Sequence, residues 1–138
     1  MKNHILFIMI SLLISVVSMS VIAMEPPTTI NPASIAYNGQ TKHGGDKYKW
    51  DAVDGVRGYQ VEVIDRDLYD YDSIIQIYKR KTVSNNRVAI GYKDVPEGTH
   101  FKIMVRPFKS DENGNRIYGE WSVSLISGRR SVMPKYIP

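Results

Sequence analysis

The side chains here with chemistry to offer are mostly acidic or phenolic. Asp65, Asp67, Asp70 and Asp72 crowd one short stretch, Tyr69 and Tyr71 lie among them, and Tyr78 follows. Several carboxylates close together offer the oxygen ligands that a hard cation takes. Their spacing lacks the glycine and distal glutamate of a helical calcium loop, so the expectation is a solvated loop and no metal site. The tyrosines suggest another use. Tyr69, Tyr71 and Tyr78 would form a platform for a sugar or a peptide, because a phenol offers contact area at low entropic cost. The three histidines are His4 in an apolar leader, His43 in a glycine-rich stretch and His100 beside Phe101, where strand alternation turns it to solvent. No Ser-His-Asp arrangement is evident. The chain has no cysteine, which removes thiol nucleophiles, cysteine-held zinc, iron–sulfur clusters and cysteine-borne lipid. Neither an enzymatic activity nor a cofactor is expected.

The chain has 138 residues, room for one domain beyond its leader. Residues 1–23 read as a secretory signal: a polar start with Lys2 and His4, an apolar run spaced by serines, then small Ala23 before Met24. The apolar run is also about long enough to cross a bilayer as an uncleaved anchor. Either way the remainder is expected outside the cytosol, secreted or in the periplasm or cell envelope. The formal net charge is +4, and removal of Lys2 with the signal leaves 17 basic against 14 acidic residues. The domain is expected over residues 24–128, and a basic tail over 129–138 with Arg129, Arg130 and Lys135. Three charges are too few to imply nucleic-acid recognition.

Period-2 alternation recurs along the domain. Prolines 26, 27 and 32 favour an extended lead-in, from which Ile35 and Tyr37 are candidates for burial. Tyr48 and Trp50 share a strand face, with Lys47, Lys49 and Asp51 opposite; Tyr59, Val61 and Val63 follow in the same manner. Residues 74–79 are strongly β-prone with no clear inward set, and Asn85-Asn86 marks a turn before Val88 and Ile90. Phe101, Ile103 and Val105 alternate with Lys102 and Met104, and a last strand puts Trp121, Val123 and Leu125 on one face. No helix pattern follows the leader. About seven short strands separated by turn signals imply an all-β fold, an immunoglobulin-like sandwich of two antiparallel sheets.

Four pieces in order, Tyr48-Lys49-Trp50, then residues 58–63 (GYQVEV), residues 95–105 (VPEGTHFKIMV) and Gly119-Glu120-Trp121-Ser122, resemble a fibronectin type III domain. The resemblance implies strands A, B and E packed on C, C′, F and G, with Trp50, Tyr59, Phe101 and Trp121 as core and fold residues. That family usually places a tyrosine where Phe101 stands, and the missing hydroxyl bond would cost about 1 kcal/mol. No Arg-Gly-Asp tripeptide occurs in the chain, so integrin binding is not implied. If Phe101, Ile103 and Val105 point inward, then Ile64, Met104 and Phe108 point outward and would leave an apolar patch on the C-C′-F-G face, unless the tail or residues 65–73 cover it. The expectation is a non-catalytic module that binds a protein or cell-surface component through its loops or that face. The alternative is a glycan-binding accessory protein using the loop tyrosines.

Overall fold

In the computed structural model of the protein, residues 24–69, 76–91 and 93–129 are described, with 68, 69 and 129 described by backbone alone. Nine β-segments run through them: β1 (Ala36–Gln40), β2 (Asp46–Lys49), β3 (Gly58–Asp65), β4 (Ile77–Val83), β5 (Arg87–Ile90), β6 (His100–Ser110), β7 (Arg116–Tyr118), β8 (Ser122–Val123) and β9 (Gly128–Arg129). They form two sheets. One has the order β1-β2-β5; the other has the order β4-β3-β6-β7, with β8 and β9 also pairing β6. Every pairing is antiparallel. The fold is therefore a two-sheet β-sandwich. Its final strand is built from three successive segments that share β6 as partner.

Alternation decides what the sandwich encloses. Tyr48, Val88 and Ile90 from one sheet, with Trp50 just beyond β2, meet Tyr59, Val61, Val63, Phe101, Ile103 and Val105 from the other. Two edge-to-face ring pairs, Trp50 with Tyr59 at 5.3 Å and Tyr48 with Phe101 at 6.0 Å, join the layers. Ile30, Ile35 and Val95 close the cluster. The Val53 N–H donates to the Tyr59 hydroxyl at 2.9 Å, so the same ring that fills the core also fastens the connection before β3.

Several expectations are corrected here. Trp121 is half-buried on the outer face of its sheet, and Leu125 is 68% exposed. The inward positions of the last strand are Ser122 and Ser124, because Val105 pairs with Ser122 and so fixes the register. Both serines are buried and satisfied: Ser122 donates to the Ile30 carbonyl, while Ser124 accepts from the Ile103 N–H and donates to the Ile126 carbonyl. Tyr37 is about half exposed although it lies opposite Tyr48, because β1 is an edge strand. The stretch expected to be a loop from Asp65 begins as the end of β3 and continues as a one-turn helix, α1 (Arg66–Tyr69). Arg129, expected to begin the tail, is still paired in the sheet: Gly128 and Arg129 lie opposite Phe101 and His100. The leader of residues 1–23 and residues 130–138 lie outside the described residues.

Candidate functional site

Among the described residues both sheets end on the same side of the sandwich, at β5 in one and at β4 in the other. The residues around that gap follow from alternation. On β2 and β5 the inward residues Tyr48, Val88 and Ile90 leave Lys47, Lys49, Arg87 and Ala89 on the outer face. Lys47 lies opposite Ala89, and Lys49 lies opposite Arg87. Ala89 is small, so the sheet surface dips between its long neighbours. On β4, Lys79, Lys81 and Val83 stand opposite Val63, Val61 and Tyr59, and so share their inward side. A lysine can hold that position only at an edge, where its stem covers apolar surface and its ammonium emerges.

Lys81 bridges the gap. Its Nζ donates to the Ala89 carbonyl at 2.8 Å and pairs with Asp94 at 2.8 Å. Asp94 also accepts from the Gly91 N–H at 2.8 Å and lies 3.8 Å from the Lys79 ammonium. Burial alone would raise the Asp94 carboxyl, but the hydrogen bonds from Lys81 and Gly91 and the two lysine charges outweigh it and hold the group below its ordinary value. Asp94 is thus ionised at neutral pH, and its single charge is divided between two lysines. Lys47 and Arg87 form no ion pair among the described residues. The result is a groove of about 440 Å³ with Val83, Val88 and Ala89 as apolar lining, Lys47, Lys81 and Arg87 as cations and Asn38 as an amide. Such a surface can hold an anionic group attached to an apolar or extended body.

The residues singled out from sequence do not meet there. Ile64, Met104 and Phe108 do lie on the side of the sheet away from the inner core, yet they are only 0%, 9% and 4% exposed. The expected apolar patch is absent: rings and guanidinium groups cover Phe108, β8 pairs beside Met104, and α1 packs against β3 and β6 next to Ile64. Arg80 reaches over β3 to Glu62. The Arg106 guanidinium donates to Gln60 at 2.8 Å and lies between the rings of Tyr118 at 3.6 Å and Trp121 at 4.4 Å. Arg116 sits 4.4 Å from the centre of the Phe108 ring, which itself packs against Tyr118. This stack of cations and rings closes the outer face.

Tyr78 is also committed elsewhere. Its ring packs against the core and its hydroxyl donates to Asp65, so it is no free platform. Burial first, then the hydrogen bond and charge of Asp65, push its phenol up to about 12. Tyr71, Asp70 and Asp72 lie outside the described residues, and only the backbone of Tyr69 is described, at the end of α1. No group of three or more potential metal-ligating side chains occurs among the described residues. His43 is exposed in the β1–β2 connection, and His100 opens β6 half-buried.

Sequence reasoning missed Lys47, Lys81 and Arg87 as a group. The outward face of β2 and the basic run from Lys79 to Lys81 were both readable. Three residues join β4 and β5, yet nothing local reveals that the two strands belong to different sheets. In comparisons with known proteins, the chain matches no family model and no curated sequence.

Proposed function

We propose that this chain is an exported, non-catalytic binding module of the fibronectin type III kind that holds an anionic segment of a protein or cell-surface partner in the groove between β4 and β5. The carrying observation is the pair of cations, Lys47 and Arg87, without carboxylate partners among the described residues and beside an apolar-lined hollow. Charge of one sign around a concave apolar surface attracts and retains the opposite sign. The fibronectin type III reading is supported by the partition of strands: β1, β2 and β5 against β4, β3, β6 and β7 corresponds to A, B and E against C′, C, F and G. The apolar leader supports export.

Location, not net charge, is the test. The variant Lys47→Glu/Arg87→Glu and the control Lys102→Glu/Lys109→Glu change total charge equally. Lys102 and Lys109 lie on β6, which β3 separates from β4, and they line no part of the groove. On a polyglutamate-coated resin, the groove variant is expected to elute at clearly lower salt than both the parent and the control. Elution of the two variants together would overturn the reading.

A further inference from the structure

The open edge of β4 narrows the class of partner. We infer that the groove's occupant is an acidic, extended peptide segment of a partner protein, which adds to β4 as a further strand; this rests on the anionic-partner reading above. β4 is seven residues long and its register against β3 is continuous from Lys79 to Val83. It ends its sheet: among the described residues no strand lies on its other side. Half of its backbone N–H and C=O groups therefore point away from β3, as a template for another chain.

The side chains along that edge decide which chain fits. Lys79, Arg80 and Lys81 are consecutive, so a second copy of this protein would bring like charges together. Inward-turned edge lysines also guard against neutral strands. An acidic strand meets neither objection. Alternate residues of an added strand would face the groove, where Lys81, Arg87 and Lys47 are cationic. The intervening residues would lie on the outer side beside Arg80 and Thr82 and near Ile77, an apolar residue 41% exposed. The complementary pattern is therefore acidic and apolar residues in alternation. The apolar lining from Val83, Val88 and Ala89 and the free backbone edge both favour a peptide over a sulfated polysaccharide, which offers no strand to pair.

The probes are a peptide of alternating glutamate and valine and, separately, dextran sulfate, each titrated into the full chain. Binding is measured by calorimetry and amide hydrogen exchange by NMR. The peptide is expected to bind the parent, to slow exchange at alternate amides of β4, and to lose at least about tenfold in affinity to Lys47→Glu/Arg87→Glu. Peptide binding that depends on Lys47 and Arg87 but leaves β4 exchange unchanged would overturn strand addition while sparing the anion-binding groove. Binding of dextran sulfate alone would overturn the peptide assignment and keep the groove. Failure of both probes to distinguish the parent from the groove variant would overturn both readings.

Discussion

Phe101 has no hydroxyl to bond, and its ring is held at the start of β6 by packing alone. Gly128 is the reason this works: a Cβ on that residue would run into both the Phe101 ring and the Tyr48 hydroxyl. Gly128→Ala is therefore expected to lower stability by about 1–3 kcal/mol, the range for overpacking, as measured by chemical denaturation. An unchanged denaturation midpoint would mean that β9 does not seal this end of the core. Tyr78 gives a second test at the same scale. Its phenol is raised from 10.0 to about 12, so the folded chain keeps that proton more tightly than the unfolded chain. The stability linked to it is complete below pH 10 and is lost as pH rises toward 12. Tyr48 is shifted in the same direction, chiefly by burial. Urea midpoints should fall on going from about pH 9 to about pH 11, and Tyr78→Phe should flatten that fall. An equally steep fall in the variant would contradict the assignment. Trp50, Tyr59 and Phe101 were legible as core residues because large rings alternating with charged neighbours have one stable orientation. Trp121 was misread because an apolar ring can be half-buried by stacking on an arginine, which alternation alone does not reveal.

At the scale of elements, the outer face of β3 is the instructive case. Its buried Gln60 and Glu62 need partners, and Arg106 from β6 and Arg80 from β4 supply them. Arg106 also carries the last strand, since Tyr118 ends β7 and Trp121 precedes β8, with its guanidinium between their rings. Arg106→Ala is expected to cost about 1–2 kcal/mol through one charge-assisted hydrogen bond and two ring contacts. It should also shift Trp121 fluorescence to the red. Arg106→Lys keeps the charge but loses the planar stack, and should recover only part of the loss. Full recovery by lysine would show that charge, not stacking, secures this edge. The existence of most strands was legible because a period of 2 survives in short runs. The start of β4 was not, because both alternating sets of residues 74–79 contain apolar side chains. The cover over Phe108 comes from Arg116 and Tyr118 of β7, and Met104 is flanked by β8, pairings that no local pattern carries.

For the whole molecule, a cysteine-free sandwich encloses a core built from both sheets and leaves two edges facing one side. The two-sheet architecture was readable from strand spacing and turn signals. The groove was not, because β5 follows β4 after three residues yet pairs in the other sheet with β2, about 40 residues earlier, which brings Lys47 to the gap. Its cations are unequally satisfied: Asp94 serves Lys79 and Lys81, and Lys47 and Arg87 have no such partner among the described residues. That imbalance makes the groove the strongest candidate for contact with another molecule. The most direct test is an amide chemical-shift map of the full chain during titration with the alternating glutamate-valine peptide. The largest changes should fall on Lys47, the β4 residues 79–83 and the β5 residues 87–89, and they should weaken with added salt. Changes confined to the loop end around Arg57 and residues 111–115, or no changes at all, would contradict the assignment of this groove as the binding surface.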